Sequence, residues 1–355
     1  MKKLLAFMMI IAIISVGCDK KKEEESGSKK IKVGLVFDAG GKNDGSFNQS
    51  AWEGAVKAKN ELGIVLKDVE PGAGDSSAVE EAMRVFASEG FDVIFGIGFA
   101  NATAIEHVAT EYPNIKFAIV DSEVKLPNVS SLLFKEHEGS FLVGMVAAMR
   151  AREVKGKQII GFIGGMDIPL IHKFELGYKA GAEKINPGIQ VIVNYVGNTP
   201  TAWSDPAKAK EIALSQIGKG ATVIYAAAGA SGNGLFDALM ETNGRGPCNP
   251  VVANGIRTDK CIYGIGVDSN QNHKVPGQIA TSMLKRVDVS VFDTIKKATE
   301  GKLTGGVSVY GLNNNGVGYA LDENNSNIVT QKMQEAVEKY KQLIINGTIT
   351  VQSER

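Results

Sequence analysis

Cysteine and histidine are scarce in this chain of 355 residues, which contains three cysteines and four histidines. No His-Glu-x-x-His segment occurs, and no second close pair of cysteines suggests a zinc site. A Gly-x-Ser-x-Gly elbow, which would mark a serine nucleophile, is also absent. The sequence therefore predicts no metal site, and it presents no nucleophile and base that would identify an enzyme.

An excess of charge of one sign is missing as well, because Lys plus Arg and Asp plus Glu each number 39. Such a chain lacks the basic field that attracts nucleic acid, so no nucleic-acid partner is expected. The glycine-rich stretches complete no nucleotide motif: residues 96–101 lack the third glycine of G-x-G-x-x-G, and Gly41-Lys42 is followed by Asn43. We therefore predict no cofactor.

Long apolar runs are lacking too, since the run over residues 4–14 is far shorter than the roughly 20 residues that cross a bilayer. Two lysines precede this run and the segment SVGC follows it. The pattern indicates a lipoprotein signal peptide over residues 1–17, with Cys18 as the acylated first residue of the mature chain. An ordinary cleaved signal with a free Cys18 is the alternative.

Residues 18–30 are almost entirely polar or charged and contain nothing that forms a core. They are predicted to be a lipidated, flexible tether between bilayer and folded body. The expected location is the cell membrane, on its periplasmic or outer face, with the lipid bilayer as a partner through acylated Cys18.

From residue 31 onwards, strand-like runs rich in Val, Ile and Leu alternate with amphipathic helical runs. This pattern predicts an α/β protein with parallel sheets covered on both faces. The pattern occurs twice, over residues 31–134 and 138–272, which indicates two similar lobes. Ligand sites in such folds lie beyond the carboxyl ends of the strands.

Polar residues stand at several of these strand ends. Asp121 follows FAIV and Asp268 follows YGIGV, so both are candidates to bind hydroxyl groups, with a helix-capping or turn role as the alternative. After the first strand, Phe47 lies among polar neighbours that include Asp44 and Asn48. A ring flanked by polar groups suits a flat heterocycle with polar edges. The alternative is that Phe47 packs as a hydrophobic staple.

Two further cysteines, Cys248 and Cys261, occur in the segment ETNGRGPCNPVVANGIRTDKC. An exported chain permits a disulfide between them, and spacing does not decide whether it forms.

Seven segments in order closely resemble the basic membrane lipoprotein family, the PnrA-like purine nucleoside receptors of bacterial ABC importers. They are GKNDGSFNQSAWEG, FAIVDS, FKEHEGSFLVG, GFIGGMDIPLIHKFELGYKAG, YAAAGASGNG, GVDSNQ and TSMLKRVDVSVFDTIK. The resemblance extends from about residue 31 to beyond 320 and includes the lipoprotein leader.

The resemblance implies a type I periplasmic-binding-protein fold, with two α/β lobes joined by three crossovers. It assigns residues 31–135 and 276–309 to the N-terminal lobe, and residues 136–275 and 310–355 to the C-terminal lobe. The chain should then change lobes near residues 134–138, 274–278 and 310–318.

The resemblance also implies a site in which a purine base lies between two aromatic rings, Phe47 and Phe174. The implied ligand residues are Asn43, Asp44, Phe47, Asn48, Asp121, Phe174, Gly229, Asp268 and Lys285. Asp44, together with Asn43 or Asn48, would read the base edge. Asp268 and Lys285 would hold the ribose hydroxyls with backbone help around Gly229, and Asp121 would contribute from the first lobe. Lys285 also has an explanation without a ligand, as an exposed helix start.

The expected function is capture of nucleosides, most of all purine nucleosides, for delivery to the membrane subunits of an ABC importer, by a monomer that catalyses no reaction. A sugar or small-solute receptor of the same fold is the first alternative. A surface adhesin or host-interaction lipoprotein is the second, and a nucleoside hydrolase is the third.

Overall fold

A computed structural model describes residues 30–72, 75–248, 252–253, 256–257 and 261–355. The predicted signal peptide, Cys18 and nearly all of the predicted tether lie outside these residues. In the described ranges, no helix has both the length and the apolar character that crossing a membrane requires. The same ranges contain no group of three or more His, Cys, Asp or Glu side chains arranged to hold a metal ion.

Strands and helices alternate along most of the chain. The strands are β1 (Lys32–Val36), β2 (Val65–Val69), β3 (Val93–Gly96), β4 (Lys116–Val120), β5 (Val129–Phe134), β6 (Ile159–Met166), β7 (Gln190–Gly197), β8 (Ala221–Ala227), β9 (Val252–Ala253), β10 (Ile256–Arg257), β11 (Tyr263–Asp268), β12 (Ile279–Lys285), β13 (Gly306–Tyr310) and β14 (Val317–Tyr319). The α-helices are α1 (Phe47–Leu62), α2 (Ser76–Ser88), α3 (Ala102–Glu111), α4 (Glu136–Ala151), α5 (Pro169–Ile185), α6 (Pro206–Gly218), α7 (Asn233–Asn243), α8 (Val287–Thr299) and α9 (Gln331–Ile345).

Two large sheets organise the fold. The first has the order β13-β5-β4-β3-β1-β2, and all of its described pairings are parallel. The second has the order β14-β12-β11-β8-β6-β7, in which the edge strand β14 runs antiparallel to β12. Buried apolar runs such as the VGLV of β1 need cover on both faces, and helices provide it. The predicted pair of parallel α/β lobes is confirmed.

Within the described residues, the chain passes between the two large sheets three times. It leaves the first sheet after β5, where α4 begins at Glu136, and it passes from β13 to β14 across residues 311–316. Both positions agree with the expected crossovers. The expectation of a change near residues 274–278 is wrong, because β12 pairs with β11 and β14 inside the second sheet.

The middle crossover therefore lies at Arg286, between β12 and α8. Helix α8 then packs on α1 of the first lobe so closely that a Cβ on Gly54 would come 2.2 Å from the Asp288 carbonyl oxygen. Residues 279–285, predicted to belong to the N-terminal lobe, belong to the C-terminal lobe. As a consequence, Lys285 ends a strand of the second sheet directly before the hinge.

The structure joins Cys248 to Cys261 by a disulfide, with Cα atoms 6.0 Å apart. Cys248 is buried, and its backbone N–H donates to the carbonyl of Gly277. This hydrogen bond secures the segment after α7 to the residues just before β12 in the second lobe.

Candidate functional site

A cleft lies between the two lobes at the carboxyl ends of their strands, and it encloses about 540 Å³ including its open mouth. Its lining consists of Asp38, Gly40, Asp44, Phe47, Asn48, Gly98, Phe99, Asp121, Leu170, Ile171, Phe174, Trp203, Ala227, Gly229, Ala230, Val267, Asp268 and Lys285. Eight of the nine predicted ligand residues are in this lining. The exception is Asn43, which is exposed and does not border the cleft.

Asp44 is fixed by the start of α1. Its carboxylate accepts hydrogen bonds from the backbone N–H groups of Ser46, Asn48 and Gln49, at 2.8, 3.0 and 3.1 Å. Burial raises the pKa of Asp44 to about 6, against the lowering effect of these three donors. Asp44 therefore satisfies the free N–H groups of the helix start while it borders the cleft.

Asn48 and Asp38 line the cleft beside Asp44. The Asn48 amide donates to Oδ1 of Asp38 at 2.8 Å. The buried Oδ1 atom of Asn48 has no hydrogen-bond partner among the described residues, an arrangement that costs free energy unless a ligand donates to it. Sequence reasoning left Asp38 out of the site, although its place two residues after β1 marked it as a strand-end carboxylate.

Asp121 and Asp268 occupy matching positions in the two sheets. Asp121 follows β4 with φ of 68°, and Asp268 ends β11 with φ of 63°. Left-handed backbone is uncommon outside glycine and concentrates at functional positions. Each carboxylate accepts a hydrogen bond from the opposite lobe, Asp121 from Lys285 and Asp268 from Ser46. Both carboxylates therefore have partners across the cleft, so a helix-capping role is not needed to explain either residue.

Lys285 is the cation of the cleft, and it is only 1% exposed. Its Nζ lies 2.6 Å from Asp121 and 3.1 Å from Glu136. Burial disfavours the charged form, but the carboxylates of Asp121, Glu136 and Asp268 outweigh burial and raise the pKa of Lys285 above its ordinary value. The alternative of an exposed helix start is wrong. Burial raises the pKa of Asp121, whose Oδ1 has no hydrogen-bond partner in the described chain.

The two predicted aromatic residues face the same space from opposite lobes. Nζ of Lys285 is 5.2 Å from the ring centre of Phe47 and 5.5 Å from that of Phe174. Phe47 is the first residue of α1 and follows the N-cap Ser46, whereas a staple residue precedes the N-cap. The position of Phe47 therefore does not match the staple alternative.

A second aromatic pair at the cleft was missed by sequence reasoning. Phe99 of the first lobe and Trp203 of the second meet edge to face, with ring centres 6.4 Å apart. The Trp203 ring lies on Gly165, where a Cβ would come within 2.1 Å of it. Phe99 lies in the GIGFAN segment at the end of β3 but was not selected there, and Trp203 lies well beyond the end of β7.

Gly229, predicted to supply backbone contacts, borders the cleft beside Trp203. Its φ of 55° lies in the left-handed region that favours glycine. The neighbouring Ser231 is completely buried, and its hydroxyl donates to the Ala202 carbonyl and accepts the N–H of Asp205. Ser231 thus holds the segment that carries Trp203 against the loop after β8.

Comparison with known proteins gives a consistent result. The family model described as "ABC transporter substrate-binding protein PnrA-like" matches residues 31–355. A Lactococcus lactis protein named "ABC transporter nucleoside-binding protein BmpA" is 35% identical, over 99% of this chain and 100% of that protein. An uncharacterized lipoprotein of Pyrococcus horikoshii is 34% identical, over 88% of this chain and 75% of that protein.

Among solved structures, an ABC transporter solute-binding protein from Aeropyrum pernix K1 superposes with a TM-score of 0.79. It is 30% identical, and the match covers 92% of this chain and 94% of the other. The two lobes and their crossovers thus form the type I periplasmic-binding-protein fold.

Proposed function

Because this chain belongs to the PnrA-like family of ABC transporter substrate-binding proteins, we propose that it captures purine nucleosides in the interlobe cleft and delivers them to an ABC importer. The observation that carries the proposal is that Phe47 and Phe174, from opposite lobes, border one cavity beside the same lysine. Two rings facing one space suit a flat base, because stacking supplies affinity whatever the base. The printed name of the Lactococcus relative supports a nucleoside ligand.

Polar atoms in the cleft supply partners for the rest of such a ligand. In this proposal, Asn48 and Asp44 hydrogen-bond the edge of the base, and Asn43 has no contact with it because of its exposed position. Asp268, Asp121 and Lys285 hold the ribose hydroxyls, helped by backbone near Gly229. The unpartnered Oδ1 atoms of Asn48 and Asp121 are the acceptors that a bound nucleoside would satisfy.

Binding would act through lobe closure. A ligand that contacts Phe47 on one lobe and Phe174 on the other stabilises the closed form relative to the open form, and its differential affinity sets the population shift. Membrane subunits that recognise the closed form would then receive only loaded receptors. Substrate-binding proteins of this class bind their ligand without converting it, and the proposal includes no reaction.

Anchoring belongs to the same proposal. Acylation of Cys18 would hold the receptor at the membrane, and residues 18–30 would let it reach the importer. The lipoprotein name of the Pyrococcus relative supports this arrangement. We propose a monomer, since one chain contributes both walls of the cleft.

A thermal-shift panel tests the proposal. The purified chain, unfolded and refolded to remove carried-over ligand, is melted with purine nucleosides, pyrimidine nucleosides, free bases, ribose and other sugars. A ligand that binds only the folded state raises the melting temperature. A rise of several degrees with purine nucleosides is expected.

The panel also separates the alternatives. A rise with a sugar and none with nucleosides would replace the proposal by a sugar receptor. No rise with any compound would favour the adhesin or host-interaction alternative. Depletion of nucleoside during incubation, followed by chromatography, would indicate a hydrolase.

A further inference from the structure

The first residue of interest is Ser46, which occupies the N-cap of α1 without capping the helix through its side chain. A serine at this position ordinarily accepts a hydrogen bond from an N–H of the first turn. Here the side chain of Ser46 makes no such bond, and the Asp44 carboxylate accepts the N–H groups of Asn48 and Gln49 instead. The Ser46 hydroxyl is therefore available for another contact.

That contact crosses the cleft. The Ser46 hydroxyl donates to Oδ2 of Asp268 at 2.7 Å, and it lies 3.3 Å from the carbonyl oxygen of Val267. Ser46 is completely buried, and Asp268 is 7% exposed. Ser46 belongs to the first lobe and Asp268 to the second, so a rotation that opens the lobes separates the two groups.

Two neighbouring contacts join the same segments without touching the Asp268 carboxylate. Ser269 Oγ donates to the carbonyl of Ser46 at 3.0 Å, and Gln271 Nε2 donates to the carbonyl of Gly45 at 2.9 Å. We call residues 45–46 together with 267–271 the interlobe clasp. The Ser269 and Gln271 side chains hold the lobes together through backbone carbonyls, and among the described bonds of the clasp only that of the Ser46 hydroxyl reaches a predicted ligand residue.

We propose that Ser46 is a positioning residue that sets the Asp268 carboxylate for the ligand's sugar hydroxyls only when the lobes are closed. Its hydrogen bond occupies Oδ2 of Asp268 and leaves Oδ1 for the ligand. The left-handed backbone at Asp268 fixes the direction from which the carboxylate enters the cleft. Recognition of the sugar is thereby tied to closure, and this inference rests on the proposed function.

The consequence is a specificity effect. In the open form Asp268 loses the donor that orients it, so a sugar hydroxyl meets a carboxylate that is free to rotate. In the closed form the carboxylate is already oriented, and no rotational freedom is lost when the hydroxyl binds. A ligand without 2′ and 3′ hydroxyls gains nothing from this arrangement.

The test compares Ser46→Ala with the matched control Ser269→Ala, each in the complete chain. Calorimetry measures the affinity for inosine and for 2′,3′-dideoxyinosine. Wild type should prefer inosine, and Ser46→Ala should reduce that preference by about tenfold, the low end of the effect of losing a hydrogen bond to a charged group. Ser269→Ala should weaken both probes by the same factor and leave the preference unchanged.

Two further variants check the assignment. Ser46→Cys, whose thiol is a weaker donor, should give a preference between those of wild type and Ser46→Ala. In an Asp268→Ala background, Ser46→Ala should cause no further loss of preference, because the group that Ser46 orients is gone. Melting temperatures of all variants confirm that each is folded.

These measurements distinguish failure of the proposed function from failure of the inference about Ser46. If wild type binds neither probe, nor any other nucleoside of the thermal-shift panel, the proposed function fails and this inference fails with it. If wild type binds inosine and Ser46→Ala keeps the full preference, the proposed function stands and Ser46 is only a closure contact.

Discussion

The carboxyl ends of β4 and β11 present the same residue in the same left-handed backbone, yet their surroundings differ. Asp121 is paired with the ammonium of Lys285, 2.6 Å away. Asp268 accepts a hydrogen bond from the neutral hydroxyl of Ser46. In both cases the partner comes from the opposite lobe. Matching topology thus produced matching backbone, while the electrostatic character of each end was set by the side chain that faces it.

The difference has a topological cause. Lys285 ends β12, which lies next to β11 in the second sheet and leads directly into the middle crossover. The crossover directs the ammonium toward Asp121 and Glu136. Ser46 precedes α1 in the opposite lobe, and its side chain is an uncharged hydroxyl donor. Asp121 therefore belongs to a buried ion pair and Asp268 accepts a neutral hydrogen bond, although burial raises the pKa of both carboxylates.

The largest expected effect comes from breaking the ion pair. Lys285→Met should lower the free energy of unfolding by about 3–5 kcal/mol, because it removes the cation bound to the buried Asp121 carboxylate and the nearer of the two lysines at Glu136. Urea denaturation measures the change. The matched control is Lys173→Met, since Lys173 lies 3.7 Å from Glu136 with a side chain 30% exposed. That control should cost at most about 1 kcal/mol, and equal losses in both variants would contradict the prediction.

The second prediction concerns Asp268, for which burial raises the pKa to about 7. The carboxylates of Asp44 and Asp121 add to this rise, and Lys285 and Ser46 oppose it. Between its unfolded pKa of about 4 and this value, the folded chain retains a proton that the unfolded chain has lost. Stability should therefore fall as pH rises through this window and stay constant above it.

Asp268→Asn removes that titration. The free energy of unfolding of this variant should rise by about 2–4 kcal/mol relative to that of wild type as pH rises from 4 to 8, since each pKa unit corresponds to about 1.4 kcal/mol. Urea unfolding at pH 4, 6 and 8 measures the gain. Exposed Asp75, whose pKa is lowered by its bond to Ser77, provides the control, and Asp75→Asn should show no trend over this range. A flat difference for Asp268→Asn would refute the buried titration.

Truncating the rings sharpens the comparison on the apolar side of the cleft. Phe47→Ala and Phe174→Ala should each weaken nucleoside binding by about 1–3 kcal/mol, the range for a lost base stack. Calorimetry with a purine nucleoside measures both. Phe292→Ala is the control, because this half-buried ring lies on α8 against Lys57. An unchanged affinity in Phe47→Ala would remove that ring from the site.

The smallest effect is expected at the contact between Phe99 and Trp203. A double-mutant cycle with leucine at both positions should give a coupling of about 0.5–1.5 kcal/mol in nucleoside affinity, the usual value for an aromatic pair. Phe86 and Phe91, with ring centres 4.6 Å apart inside the first lobe, form the control pair. Their cycle should couple in unfolding free energy and not in ligand affinity. Zero coupling between Phe99 and Trp203 would mean that they do not close the cleft.

Much of the site could be predicted from the sequence because the ends of buried strands can be predicted from it. A buried apolar run predicts a strand, parallel strands align their carboxyl ends, and a polar residue just after the run therefore faces the cleft. This reasoning located Asp121 and Asp268. It did not locate Phe99 or Trp203, which lie in short 3₁₀ helices that begin after the loops following β3 and β7.

The sequence could not show which of several closely spaced polar residues border the cleft. Asn43, Asp44 and Asn48 occur close together around the start of α1, and only the last two border the cleft. The left-handed Gly45 and the capping of α1 by Asp44 set which side chains turn inwards. The resemblance assigned residues 279–285 to the wrong lobe, and the local sequence pattern could not correct it. An apolar strand pattern indicates burial in a sheet, and it does not say which of two similar sheets accepts the strand.

The sequence by itself determined the alternation of strands and helices, the two lobes and the presence of carboxylates at two strand ends, because these follow from local periodicity and composition. Only the tertiary structure decided that Lys285 meets Asp121 and that Ser46 meets Asp268. Those pairs are separated by 164 and 222 residues along the chain. They form because three crossovers bring the carboxyl ends of two sheets together, and no local pattern encodes the distance between groups on different lobes.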